Sequence, residues 1–303
     1  MKILIAGASG FIGKALSAFL QKRGHQIISL VRDPKEIRSD AFFWSPENGQ
    51  IDLAAFTDVD AVINLSGESI FDRRWTPEQK QKIFQSRTLA TSTLVQALCD
   101  LPHAPSLFIS TSAIGIYGKK GDLYCNEHSA KGTGFLSDVC AEWEEATKAA
   151  ALKGISTLIF RFGIVLSPLG GALKKMLPIF KLGLGGSLGS GDQYMSWIAL
   201  EDLLSVFLFA VTNHNLKSGI VNLVSPHPVT NKEFTHTLGR ILHRPTWFHI
   251  PAFVLRSLFG TEKADALFLS STRVEPLRLQ SVSFVFQYPK IEDALNHLID
   301  HLD

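Results

Sequence analysis

The first thirteen residues, MKILIAGASGFIG, restrict this chain more than any other stretch. Lys2 to Ala6 is an apolar run of strand length that opens directly into Gly7-Ala8-Ser9-Gly10-Phe11-Ile12-Gly13, and Lys14 to Arg23 then carries the apolar spacing of a helix. Strand, glycine turn and helix, in that order, are the context in which three glycines become a dinucleotide-binding fingerprint. Gly7 permits the tight turn, Gly10 lets the backbone approach a pyrophosphate, and Gly13 lets helix pack on strand. Ser9, Phe11 and Ile12 surround a helix N-terminus whose unpaired N–H groups face the phosphates. Glycines also serve simple turns and packing, but the flanking elements favour the nucleotide reading.

The remaining chain is compatible with such a protein. Its 303 residues, 46% hydrophobic and 19% charged, suffice for one large or two modest domains with a substantial core. A formal charge of +2, with no basic block interleaved with aromatics, argues against nucleic acid as a partner. No apolar run reaches the length of a membrane span and no cleavage-site pattern follows the first strand, so no membrane association and a cytoplasmic address are expected. Cys99, Cys125 and Cys140 form neither a CxxC pair nor a zinc-type cluster, so neither disulfides nor a metal site are expected.

Strands are predicted at Gln26 to Val31, Phe42 to Trp44, Asp60 to Leu65, Ser106 to Ser110, Ser156 to Phe162 and Val221 to Val224, and helices over Thr76 to Leu98 and Phe135 to Lys153. This alternation predicts an α/β fold with a doubly wound parallel sheet. At the end of the second strand an acid would bind the ribose 2′-OH of NAD. Val31 and Arg32 stand there instead, with Lys35 and Arg38 behind and Asp33 arriving late, so charge complementarity favours NADP over NAD. Further candidate cofactor contacts lie at later strand ends: Leu65, Ser66 and Gly67, then Ser110, then Arg161 and Gly163. Leu169 to Gly191 is rich in glycine and reads either as a flexible wall over a substrate or as a packed loop. From Asn231 on, helices alternate with links containing Pro245, Pro251 and Pro276. The expected division is a dinucleotide-binding domain of residues 1–165 with 193–225, and a smaller, mostly helical substrate-binding cap of 166–192 with 226–303.

With these segments assembled, the chain resembles the extended short-chain dehydrogenase/reductase superfamily of sugar-nucleotide epimerases and dehydratases. Within it, the chain is similar to an epimerase-family group sometimes labelled as cell-division-inhibitor homologues. The resemblance rests on GASGFIG, INLSGESI, RRWT, FISTSAIGIYG, DVCAEWEEAT, FRFGIVLSPLGGAL, LGLGGSLGSGDQYMSWIALEDL, NLVSPHPVTNKEF and TLGRILHRP, spread from Met1 to about Pro289. It implies a Rossmann-type sheet, a small-molecule substrate in the sugar-nucleotide class, and a homodimer through the two long helices.

The superfamily uses an Asn, a Ser or Thr, and a Tyr and Lys three residues apart, the Tyr exchanging a proton at the carbonyl while the Lys lowers its pKa and holds the nicotinamide ribose. Laid onto this sequence, that pattern puts Leu136 at the Tyr position, Cys140 at the Lys position, Glu144 at a following glutamate and Arg87 at the Asn position; a shift by one gives Phe135 and Val139. The hydroxyl survives as Ser112, with Thr111 as an alternative. The catalytic candidates are therefore Ser112, Tyr117 and Arg87, with packing as the competing role for Tyr117 and structural charge for Arg87 and Arg161. Glu68 is either a loop carboxylate in solvent or a group facing the nicotinamide. The expected activity is that of an NADP-dependent oxidoreductase or epimerase with an atypical site. Its rival is a binding protein that keeps the cofactor pocket without the chemistry.

Overall fold

The computed structural model describes residues 1–213, 215–216 and 218–300. Eight strands build the central sheet: β1 (Lys2–Ala6), β2 (Gln26–Val31), β3 (Ala41–Ser45), β4 (Gln50–Ile51), β5 (Ala61–Asn64), β6 (Leu107–Ala113), β7 (Ser156–Phe162) and β8 (Gly219–Leu223). Their order is β8-β7-β6-β5-β1-β2-β3-β4. β1 pairs in parallel with both β2 and β5, β2 with β3, and β5 with β6, whereas the short β4 returns antiparallel at the edge. This is a mostly parallel sheet of the Rossmann type. Strand order reverses at β1, so a crevice opens at the carboxyl ends of β1 and β5, where sheets of this topology take their ligands.

The first helix, α1 (Phe11–Gln21), buries Gly13, Leu16 and Leu20. The long α2 (Pro77–Asp100) begins with Pro77 at a position where the missing N–H costs nothing, and Thr76 Oγ1 caps it by accepting from the Gln79 N–H at 3.2 Å. Its faces bury Ile83, Ala90, Leu94 and Leu98. The predicted continuous helix over Phe135 to Lys153 is instead two: α3 (Phe135–Glu145) and a short Lys148–Leu152 helix. Thr147 Oγ1 donates to the Glu144 carbonyl at 2.7 Å, giving that carbonyl a side-chain partner at the break.

Two compact units are present. The first comprises Met1–Ser112, Val139–Phe160 and Phe207–Ile220; the second comprises Ala113–Asp138, Arg161–Val206 and the chain from Val221 onward. The core of the first gathers Leu4, Ala6, Ile28, Leu30, Val62, Leu94, Leu98 and Phe108 from sheet and α2. That of the second gathers Leu166, Leu173, Leu177, Phe180, Trp197, Phe234, Leu238 and Leu295. Residues 301–303, the end of the expected cap, lie outside the described residues.

The glycine-rich segment differs from both sequence expectations. Gly171–Lys181 is a helix, with Leu173, Leu177 and Phe180 buried on one face, and Gly186–Leu188 is a strand paired with Phe248–Ile250. The apolar spacing of that helix was masked by the glycines before it and by Pro178 inside it.

Candidate active site at the strand ends

The glycine turn is shaped by close backbone approach. Gly7 has φ of 83°, and a Cβ there would lie 2.9 Å from the Leu65 carbonyl carbon; a Cβ on Gly13 would lie 2.1 Å from the Gly7 carbonyl oxygen. Both positions therefore exclude any side chain, one by conformation and contact and the other by contact alone. The turn closes through a Gly10 N–H to Gly7 carbonyl bond of 3.1 Å. α1 then starts with Gly10 at its N-cap, without a capping side chain and without an acid in the first turn. Its N-terminal N–H groups and the positive end of its dipole are thus left for an external anion. Ser9 and Gly10 are exposed beside it, with Phe11 and Ile12 half-buried.

At the end of β2, Arg32 is exposed. Asp33 turns its carboxylate onto its own chain, accepting the Lys35 N–H at 2.9 Å and capping a 3-10 turn. Arg38 is bound to Asp40 at 2.6 Å, which withdraws it from the set of cations expected to meet a 2′-phosphate. The acid is occupied and Arg32 is exposed, an arrangement suited to a phosphate on the ribose.

The ends of β5 and β6 are organised by a residue that the sequence reading overlooked. Asn64 is fully buried; its Nδ2 donates to Thr91 Oγ1 at 2.9 Å, its Oδ1 accepts the Ser66 N–H at 3.1 Å, and its carbonyl accepts from Thr111 Oγ1 at 2.9 Å. The signal was a polar side chain closing the otherwise apolar run AVIN. This leaves Thr111 occupied within the sheet. Ser66 and Ser110, at 4% and 0% exposure, carry hydroxyl oxygens with no hydrogen-bond partner. Two orphaned buried hydroxyls, Ser66 against the glycine turn and Ser110 at the end of the neighbouring β6, fit a site that a polar ligand completes.

A polar cluster follows on the same side. Ser112 Oγ donates to Glu144 Oε1 on α3 at 2.7 Å. Glu68 donates its N–H to Ser86 Oγ at 2.9 Å and accepts from Gln79 Nε2 at 3.2 Å, so its carboxylate is tied to α2. The Arg87 guanidinium donates from Nη1 to the Ile83 carbonyl at 2.9 Å and lies 5.2 Å from the centre of the Trp143 ring. Burial pushes its pKa below the ordinary arginine value, and Cys140 and Glu68 oppose that shift. Leu136, Cys140 and Glu144 lie on α3, Cys140 being buried.

In the second unit, Tyr117 and Arg161 form a closed pair. Tyr117 is fully buried; its hydroxyl accepts from Arg161 Nη1 at 2.9 Å and donates to Asn222 Oδ1 at 2.8 Å. Burial pushes its pKa up to about 12, against the pull of Arg161. A phenol so placed is a poor proton exchanger near neutrality, and the packing role describes it better than the acid–base one. Arg161 is likewise buried against that ring, with its Cζ 5.1 Å from the ring centre. Gly163 is needed for packing: a Cβ there would lie 2.7 Å from the Ser196 carbonyl oxygen. Among the described residues there is no group of three or more His, Cys, Asp or Glu side chains able to hold a metal, and no helix is long and apolar enough to cross a membrane.

The sheet, its crevice and the glycine cradle define a Rossmann-type nucleotide-binding protein related to the short-chain dehydrogenases. More particularly, residues 3–223 match the model of the NAD dependent epimerase/dehydratase family, and the chain belongs to that family. A second model, a domain of unknown function (DUF1731), matches residues 250–298. The chain is 44% identical over 295 residues to an epimerase family protein of Mycobacterium bovis, covering 97% of this chain and 96% of the relative. It is similar to the crystal structure of human epimerase family protein SDR39U1 with NADPH, at a TM-score of 0.90 and 29% identity, with both chains fully covered. It is also similar to the structure of a nucleoside-diphosphate sugar epimerase from Corynebacterium glutamicum, at a TM-score of 0.81 and 31% identity, covering 99% of this chain and 58% of the other.

Proposed function

We propose that this protein binds NADP(H) and acts as an oxidoreductase or epimerase whose active site departs from the Tyr-x-x-x-Lys pattern. The observation that carries the reading is the cradle at Gly7 to Gly13: two positions closed to any side chain, leading into a helix N-terminus with neither cap nor acid. Gly7, Ser9, Gly10, Phe11, Ile12 and Gly13 would hold the pyrophosphate, and Arg32 the 2′-phosphate. Leu65, Ser66, Gly67 and Ser110 would line the strand ends. NADP rather than NAD is supported by the occupied carboxylate of Asp33 and by the NADPH in the human relative.

When bound, the nicotinamide supplies a hydride acceptor or donor. The protein's own contribution centres on Ser112. Because its proton is directed at Glu144, Ser112 Oγ keeps its acceptor capacity, which suits a substrate hydroxyl that donates to it. A carbinol on a sugar nucleotide is the substrate class we assign, in line with the sugar-nucleotide epimerase among the similar structures.

A second reading, an NADP(H)-binding regulator without turnover, is favoured by Leu136 and Cys140 at the dyad positions and by the bound hydroxyl of Tyr117. A small-molecule screen for NADP reduction separates the two.

The primary test is calorimetric titration with NADPH, NADP, NADH and NAD, repeated with Arg32→Ala. Tight NADP(H) binding is expected, weakened about ten- to a hundredfold in the variant, the worth of one charge-assisted contact. Absence of binding to all four overturns both readings.

A further inference from the structure

One cation at the strand ends has more donors than the fold uses. Arg87 projects from α2 to the loop after β5, where a Cβ on Gly67 would lie 3.2 Å from its Cζ and 3.3 Å from its Nη2. The guanidinium also lies over the Trp143 ring of α3. Among the described residues it donates hydrogen bonds only from Nη1, to the Ile83 carbonyl at 2.9 Å and to Ser86 Oγ at 3.5 Å, which leaves Nε and Nη2 for other acceptors. The loop it touches is the one whose start, at Leu65 and Ser66, packs on Gly7. Gly67 has no side chain and is exposed, so the guanidinium is reached across bare backbone. A guanidinium with donors to spare, against the loop whose first residues pack on the glycine turn, is placed to meet an anion or a pair of hydroxyls.

We propose that Arg87 binds the nicotinamide mononucleotide half of the dinucleotide, through its phosphate or its ribose hydroxyls. The inference rests on the NADP(H) reading above and adds a residue and a direction to it. Cys140 is a neighbour of the same guanidinium from the α3 side, at the position where the resemblance expects a lysine, so the positive charge arrives from α2 instead. Glycine at 67 is part of the arrangement, since any Cβ there would press on the guanidinium.

The test compares two probes, NADPH and adenosine 2′,5′-bisphosphate, which lacks the nicotinamide half. Arg87→Gln is expected to weaken NADPH about tenfold or more while leaving the bisphosphate unchanged, and retained bisphosphate binding reports an intact fold. Cys140→Lys in the Arg87→Gln background is expected to recover NADPH affinity by returning a cation to the same space. Unchanged NADPH affinity in Arg87→Gln overturns the proposal, as does equal loss of both probes. Selective loss without recovery by Cys140→Lys overturns the equivalence of the two positions. Failure of the unmodified protein to bind either probe is a different result, which strikes the NADP(H) reading itself.

Discussion

Ser112 and Glu144, from β6 and α3, share a 2.7 Å hydrogen bond in which the serine is the donor. With Ser112 only 2% exposed, removing its acceptor leaves a buried hydroxyl unpaired. Glu144→Ala is expected to destabilise the protein by about 1–3 kcal/mol in urea unfolding. Glu144→Gln keeps an acceptor and is expected to retain most of that stability. Both Ser112→Ala and Glu144→Gln should lower kcat/KM for NADP-dependent carbinol oxidation about a hundredfold without changing NADPH affinity. Unaltered rates in both variants would remove this pair from the chemistry.

Gly13→Ala tests the cradle. The added Cβ meets the Gly7 carbonyl oxygen at 2.1 Å and Ala8 Cα at 2.8 Å, backbone atoms that cannot rotate away. A loss of about 2–3 kcal/mol and of measurable NADPH binding is expected. Gly24→Ala is the control: nothing lies within 4 Å, but φ is 80°, so only a strain of about 1–2 kcal/mol is expected, with binding retained.

Tyr117 gives the fold a defined alkaline response. Its pKa is raised to about 12, so the neutral phenol is the form that the folded state holds. This stability is complete below pH ~10, where a free tyrosine titrates, and is lost as pH rises through the folded value. The loss amounts to roughly 2–3 kcal/mol at about 1.4 kcal/mol per pH unit. Tyr117→Phe should remove that part of the stability curve. At neutral pH the same variant should cost about 1–3 kcal/mol, because Arg161 and Asn222 lose their shared partner.

Asp202 gives an acid-side counterpart. It is fully buried and accepts the Gln287 and Tyr288 N–H groups at 2.7 and 3.0 Å, yet burial outweighs these bonds and raises its pKa. The folded state therefore holds its proton more tightly than the unfolded chain does. The contribution is full below the ordinary aspartate range, about pH 3.9, and is lost as pH rises through the raised value. Asp202→Asn should flatten stability across that window in unfolding experiments run from acid toward neutrality.

Much of the fold could be read from local pattern. Apolar runs of strand length, the Thr76-Pro77 start of α2 and the glycine spacing at Gly7, Gly10 and Gly13 are properties of adjacent residues, and the strands β1, β2, β5 and β7 fall where that pattern puts them. Gly171–Lys181 escaped because glycine and proline report local backbone freedom, whereas that helix is held by burial of Leu173, Leu177 and Phe180 against residues as distant as Phe234 and Leu295.

The sequence by itself determined the class of site: a strand, a turn with glycines at 7, 10 and 13, and the start of a helix, all within thirteen residues. Tertiary structure alone decided which polar groups remain available for ligands. Asp33 and Arg38 lie within six residues of Arg32 in sequence but are held by local bonds. Tyr117 is closed off by Arg161 and Asn222, the latter 105 residues away. Arg87 reaches Gly67 and Trp143 only because β5, α2 and α3 converge. Hydrogen bonds and ion contacts extend only a few ångströms, so whether a side chain is spent or available depends on the neighbours that folding brings to it.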